Sequence, residues 1–289
     1  RTVEALIRAG AVDALHMNRA ALAASIDLAF DFAAASEANA NQGGLFDLLD
    51  DAHGSSSQEP ELPSVTPWGI KERLSLEKTA IGFYLSGHLF DEVEREVRQF
   101  VRRSVAELTD SREPQLLAGI VGDLRVINGQ RGKLALFRLD DKSGVIDARA
   151  EESLIQRHRH TLKDDEFIVV MGKVMPDRFS GGLQLNVTQV WDLAQARCRF
   201  GKFLRVAVNG KAPEVRRLLA EYPPQVEHTE HGELLRGLPV RLLLERRGPE
   251  GGAMAQLHLG DQAQFFPSDA ALASWVAQAD EGRAMVVYE

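Results

Sequence analysis

Near residue 115 the apolar positions change their period, and that change splits the chain into parts that cannot share one architecture. Upstream, Leu89, Phe90, Val93, Val97, Phe100, Val101, Val105 and Leu108 recur at three and four, with Arg95, Arg98, Arg102 and Arg103 on the other faces. That spacing predicts helix with one buried stripe. Downstream the pattern alternates, the mark of half-buried strands.

The alternating part carries its own punctuation. Strands are predicted over 116–128, 133–139, 145–150, 167–175 and 183–190, with a helix over 151–162. Asn128-Gly129, Asp141-Lys142-Ser143-Gly144 and Ser180-Gly181-Gly182 supply the turns. Three strands, a helix and two strands is the element order of an OB-fold, a small Greek-key barrel. The last 90 or so residues predict a strand over 203–208, a helix over 214–220 opened by Pro213, a hairpin of 240–244 with 253–259, a helix capped by Ser268 through Gln278, and a strand over 284–288. This reads as a small α+β domain. At the N-terminal end, Gly10 is expected to stop one helix and Asn18 to cap another that runs through Phe32. The fold class is therefore α+β multidomain: a helical N-terminal segment, a five-stranded OB-fold β-barrel and a small C-terminal α+β domain. The expected boundaries are 1–36, an acidic linker 37–65, a helical connector 66–113, the barrel 114–195 and the C-terminal domain 196–289.

Charge is distributed unevenly. The chain carries −8, and residues 37–65 hold six acids with no Lys or Arg. Residues 115–195 hold eleven charges of each sign, so the barrel is neutral and the chain is no globally basic nucleic-acid glove. One Cys, Cys198, excludes an internal disulfide framework and any multi-Cys zinc site, and suits a reducing cytosol. No apolar run is long enough for a membrane span, and the start at Arg1 without Met reads as a piece of a longer chain.

No phosphate loop, nucleophile elbow or His-Glu-x-x-His motif is present. His158 and His160 with Arg157 and Arg159 form a basic cluster that reads first as a solvated helix face, and Asp140-Asp141 and Asp164-Asp165 read as turn chemistry. No catalytic residue and no metal ligand is assigned. Two binding features stand out. The acidic linker contains an apolar knot: Leu45 and Phe46 can enter a cleft while Gln42 hydrogen-bonds at its rim, or they can fold back on the neighbouring helices. In the barrel, Arg125, Arg131, Lys133, Arg138 and Lys142 fall on strands 1–3 and their turns, and Arg178-Phe179 on the strand 4–5 loop. Cations with an aromatic in those places suit single-stranded nucleic acid, although the barrel is neutral and Phe137 can be core.

Trp68-Gly-Ile-Lys-Glu-Arg-Leu-Ser-Leu-Glu-Lys-Thr-Ala-Ile-Gly-Phe-Tyr-Leu-Ser-Gly-His88 resembles the helical segment that precedes the OB domain in the alpha subunits of bacterial replicative DNA polymerase III. Val3 to Asp13 with Asn18-Arg19 is similar to the end of that family's helix-hairpin-helix domain, and Leu139 to Gly144 to its OB domain. The resemblance implies that Gln42, Leu45 and Phe46 bind the sliding clamp (the beta subunit). It implies that 196–289 meets the tau subunit of the clamp loader, and that the barrel holds single-stranded or primed template DNA in the cytoplasm. It also implies that the carboxylates and Mg2+ of nucleotidyl transfer lie upstream of Arg1, so no cofactor is expected here. Two departures stand out: Gly43 where a larger residue is usual, which implies modest clamp affinity, and Leu89 where Pro commonly follows Ser-Gly-His. The rival readings are a stand-alone OB-fold adaptor that binds only proteins, and an error-prone relative of the same polymerase family.

Overall fold

The computed structural model describes residues 1–41, 59–129, 132–177, 181–209, 213–229, 232–248, 251–260 and 262–288. These fall into two units, Arg1–Glu92 and Val93–Glu289. The division lies inside the segment expected to be one connector.

The first unit is helical: α1 (Thr2–Arg8), α2 (Arg19–Ala24), α3 (Ile26–Asn41) and α4 (Ile70–Ile81). Asn18 caps α2 as expected, its Oδ1 accepting from the N–H groups of Ala20 at 3.1 Å and Ala21 at 3.3 Å. The helix expected through Phe32 breaks at Ser25, whose hydroxyl bonds the Leu22 carbonyl, and α3 then continues to Asn41. Arg19, buried, donates to both oxygens of Asp13 at 2.7 and 2.6 Å and to Glu77 at 3.3 Å. Gly10 has φ +79° and lies against that guanidinium, so any side chain there would strike it. Glu77, fully buried, accepts from the N–H groups of Leu85 at 2.8 Å and Ser86 at 2.9 Å. Burial pushes its carboxyl upward, but those N–H groups and Arg19 outweigh it and hold the group below the ordinary carboxylate value.

The second unit opens with a departure from the helical stripe. Only α5 (Glu94–Val97) and a 3-10 turn at Val105–Glu107 are helical in this stretch. Val97, Val101 and Leu108 are nonetheless buried, so the apolar pattern found a core without a continuous helix. The reason is tertiary. Asp141, at the turn of a later hairpin, is 1% exposed and takes the Arg98 guanidinium at 3.0 Å and the Val105 N–H at 2.9 Å, which draws the chain around that turn.

Five strands then close a barrel in the order β1-β2-β3-β5-β4: β1 (Ser111–Gly129), β2 (Gly132–Asp140), β3 (Val145–Glu151), β4 (Phe167–Pro176) and β5 (Leu183–Trp191). β3 and β5 run parallel and the other pairs antiparallel, which is the OB-fold topology. Leu117, Val121, Phe137, Leu139, Ile168 and Leu185 lead its core. The helix expected over 151–162 is shorter, α6 (Glu152–Arg157), followed by turns.

The rest is α+β. The helix α7 (Leu193–Phe200) leads into β6 (Phe203–Val208), α8 (Val215–Glu221), β7 (Gln225–Thr229), β8 (Gly232–Arg236), β9 (Leu238–Gly248), β10 (Gly251–His258), β11 (Gln264–Phe265), α9 (Asp269–Gln278) and β12 (Ala284–Val287). The sheet order is β10-β9-β6-β12, with β11 on β9 and with β7 and β8 paired apart. Trp275 and Phe265 centre its core. Ser268 caps α9, accepting from Ala271 N–H. Sequence reading omitted α7 and the β7–β8 hairpin.

Within this unit one polar cluster ties the segment before the barrel to the C-terminal sheet. Arg197, buried, donates to both oxygens of Glu96 at 2.7 and 2.8 Å, to Asp269 at 2.6 Å and to the Pro267 carbonyl at 3.0 Å. The Tyr288 hydroxyl donates to Glu96 at 2.5 Å, and Phe100 stacks between Phe200 and Tyr288 with centroids 5.2 and 4.9 Å away. Aromatic stacking beside a bidentate pair fixes orientation as well as burying area.

Candidate nucleic-acid interface

The strand alternation of β2 sorts the expected cations. Ala135, Phe137 and Leu139 face the core, so Arg138 faces out and Lys133 takes the opposite parity. Phe137, 3% exposed, is core. On β1 a bulge between Gly122 and Arg125 inserts one extra residue, with Asp123 at φ +53°, and reverses the alternation. Arg125 therefore lies opposite Leu136 on the outer surface. Without the bulge it would point inward.

From Arg125 one row of outward residues can be followed around the barrel. Arg125 pairs with Leu136, Leu136 with Arg149, Arg149 with Asn186, and Asn186 with Lys173. Three cations thus lie on one row that winds around the barrel, each two strands from the next, or roughly 10 Å at the usual strand spacing. The Arg149 Nε donates to the Asn186 Oδ1, which orients the guanidinium along the row. Arg149 and Lys173 escaped sequence reading, because the parallel β3–β5 pairing that aligns them is not local.

Next to the row is a shallow cleft of about 330 Å³ whose walls include Arg125, Arg138 and Gln184. Arg138 is paired at 3.2 Å with Asp123 and at 3.6 Å with Asp147, all well exposed. Such surface pairs are worth about 0–1 kcal/mol and exchange readily, so Arg138 can trade a carboxylate for a phosphate. Lys142, at φ +72° in the β2–β3 turn, sits 3.6 Å from Glu94, away from the row. Lys133 stands on the other face, against α6. The structure therefore joins Arg125 with Arg138 and separates Lys133 and Lys142 from them. Arg131, Arg178 and Phe179 lie outside the described residues, as do Gln42, Leu45 and Phe46.

Asp140 and Asp141 make the expected local turn bonds, but Asp141 also holds Arg98 and Val105, and Asp164 instead accepts from the distant Leu124 N–H at 2.8 Å. Asp141 accepts from the Ser143 N–H and hydroxyl, and Asp140 from the Lys142 N–H at 2.8 Å. No group of three potential metal-binding side chains occurs among the described residues. His158 is held below its ordinary value by burial first and by Arg157 second, which leaves a neutral ring at pH 7. Burial pushes the Cys198 thiol up to about 12, so it supplies no thiolate at neutral pH. No described helix is long and apolar enough to cross a membrane.

A family model described as an OB-fold nucleic acid binding domain matches residues 116–193. The DNA polymerase III subunit alpha of Neisseria meningitidis serogroup A is 40% identical over 210 residues, which cover 72% of this chain and 18% of that protein. The subunit of the same name from Vibrio cholerae serotype O1 is 32% identical over 277 residues, covering 94% of this chain and 23% of that one. The chain spans about a fifth of the length of these curated relatives. Among solved structures, the second OB-fold domain of replication protein A from Methanococcus maripaludis is 17% identical with a TM-score of 0.25, and covers 32% of this chain and 93% of that one.

Proposed function

This chain is a homologue of DNA polymerase III alpha subunits and matches about a fifth of their length, and from that premise we propose that it holds such a polymerase on its template and its accessory proteins. The barrel takes single-stranded template along the Arg125, Arg149 and Lys173 row, with Arg138 beside it. Arg131, between β1 and β2 in the sequence, and Arg178 with Phe179, between β4 and β5 in the sequence, extend the contact, Phe179 as the stacking platform. The observation that carries this reading is the row itself: three cations brought onto one row by a bulge and a parallel strand pair, on a barrel whose net charge is zero. Local arrangement, rather than global charge, attracts the phosphates.

In the same reading Gln42, Leu45 and Phe46 bind the sliding clamp, residues 1–36 end a helix-hairpin-helix domain, and 196–289 receives the tau subunit of the clamp loader. The bond-making residues and their Mg2+ lie outside this chain, in the cytoplasmic enzyme of which it is a part. The mechanism is tethering: a contact on the same chain as an active site raises its effective concentration at the template, so weak links give processive synthesis.

Two experiments test the halves separately. Replacing Arg125, Arg149 and Lys173 by Gln should weaken binding of a labelled thymidine oligonucleotide and lower the salt slope by about 2, at roughly 0.7 for each single-strand phosphate that is no longer neutralised. An unaltered slope removes the row from the DNA path. Leu45→Ala with Phe46→Ala should abolish clamp binding in a calorimetric titration while the thermal melt is unchanged; retained clamp affinity refutes that assignment. The pairing of Arg138 with Asp123 and Asp147 favours one second reading, a barrel that binds only proteins. Absence of oligonucleotide binding at low salt would select it.

A further inference from the structure

On the opposite face of the β1–β2 hairpin, α6 leaves a second cleft of about 350 Å³. Its floor is aliphatic: Leu124, Val126, Ile155 and Leu162. Leu162 is buried and Val126 is 53% exposed, so the cleft runs from the barrel core to solvent. Lys133 and Arg159 stand at its rim, and neither makes an ion pair among the described residues. The carboxylate beside them, Glu152, is already engaged: one oxygen accepts from the Lys133 backbone N–H at 3.1 Å and the other from the Gln156 side chain at 3.3 Å. It keeps its charge while bracing the hairpin, so the lining carries two cations against one anion and is net positive by one.

We propose that this cleft binds an acidic peptide segment of a partner protein, one large apolar side chain entering between α6 and β1 while flanking carboxylates meet Lys133 and Arg159. An apolar floor with two such cations at its rim is complementary to an anionic amphipathic segment. Single-stranded nucleic acid is the poorer match, because it combines phosphate contacts with stacking on aromatic rings and every hydrophobic residue lining this cleft is aliphatic. The proposal stands apart from the DNA row, since the two sets of residues share no member.

The test uses the whole chain carrying Leu45→Ala and Phe46→Ala, so that its own acidic Leu-Phe segment cannot compete. A short fluorescein-labelled peptide with one Leu-Phe pair set among Asp and Glu residues is titrated by anisotropy. Lys133→Glu with Arg159→Glu should weaken binding by at least about tenfold, the scale expected when two charge pairs are reversed. Gln156→Trp, which fills the mouth without changing charge, should weaken it comparably, and the same peptide with Asn and Gln in place of its acids should bind far less. Thermal melts confirm that each variant is folded. The proposal is overturned if the peptide does not bind, if either variant leaves its affinity unchanged, or if a thymidine oligonucleotide displaces it and loses its own affinity in the charge-reversed variant.

Discussion

Arg19 in the first unit and Arg197 in the second are both buried guanidiniums held by carboxylates, yet they organise different things. Arg19 grips Asp13, six residues away, and Glu77, which in turn collects the N–H groups of Leu85 and Ser86. The far end of that cluster is backbone, so the cluster shapes the loop that follows α4. Arg197 reaches Glu96 and Asp269, 101 and 72 positions away, and Glu96 ends on the Tyr288 hydroxyl. Apart from the Pro267 carbonyl its partners are side chains, and they bind three distant pieces of chain to one another. A buried pair that serves backbone donors cannot be replaced by hydrocarbon, whereas one that serves side chains can be replaced together with its partners.

The largest effect follows from the first case. Glu77→Leu leaves Arg19 short of a partner and orphans two N–H groups, for a loss of roughly 5 kcal/mol in the first unit. Adding Arg19→Leu should recover little, because the N–H groups remain unpaired. Chemical denaturation followed by hydrogen exchange in peptides from residues 70–92 measures it; recovery in the double variant would erase the contrast. Arg197→Met comes next, at roughly 3 kcal/mol, since Glu96 is left without its guanidinium. Here the triple replacement Arg197→Met, Glu96→Leu, Tyr288→Phe should return to within about 1–2 kcal/mol of the parent, as buried pairs exchanged whole for apolar groups often do. A triple variant no better than the single one would show that both clusters behave alike.

The contrast also explains what could be read from the sequence. Asn18 and Ser268 were legible as caps because a cap acts over three residues. The alternation of Leu134 to Leu139 was legible because the neighbours of a strand enforce one face. The stripe from Leu89 to Leu108 looked equally clear, but Asp141, at the far end of a later hairpin, holds Arg98 and Val105 and breaks it. The helix α7 was missed even though Asp192 and Gln195 form its capping box three residues apart; the signal was present and local. Arg149 and Lys173 were missed for the opposite reason. Their place beside Arg125 depends on a bulge and on a parallel pairing that no local pattern announces.

Acid sharpens the comparison further. Hydrogen bonding from Arg19 lowers the Asp13 carboxyl, and Glu77 is held low against its own burial. In the second unit Asp141 is likewise held low: burial raises it, but Ser143, Val105 and Arg98 prevail. A carboxyl with a depressed folded value stabilises fully above its unfolded value, 3.8 for Asp and 4.5 for Glu, and that contribution is lost as pH falls toward the folded one. Both units should therefore weaken between about pH 5 and 3. Asp141→Asn should flatten the acid limb for the second unit and leave that of the first unchanged, as read by exchange rates resolved along the chain. An equal change in both would mean that their acid sensitivity has another source.

The smallest predicted effect isolates one bond. Tyr288 is buried, its hydroxyl donates to Glu96 at 2.5 Å, and burial with the nearby Glu96 charge raises its ionisation far above the ordinary phenol value. The phenol thus stays protonated and acts as a donor throughout the accessible pH range. Tyr288→Phe keeps the ring stacked on Phe100 and removes only that donor. Glu96 still has both nitrogens of Arg197, so its charge is not stranded and the loss should be about 1 kcal/mol, the net worth of one hydrogen bond. In the Arg197→Met background the same substitution should cost more, because Tyr288 is then the principal donor left to Glu96. A double-mutant cycle measures the difference. If the two losses are equal, Arg197 and Tyr288 act on Glu96 independently, and the cluster is two separate contacts instead of one clasp.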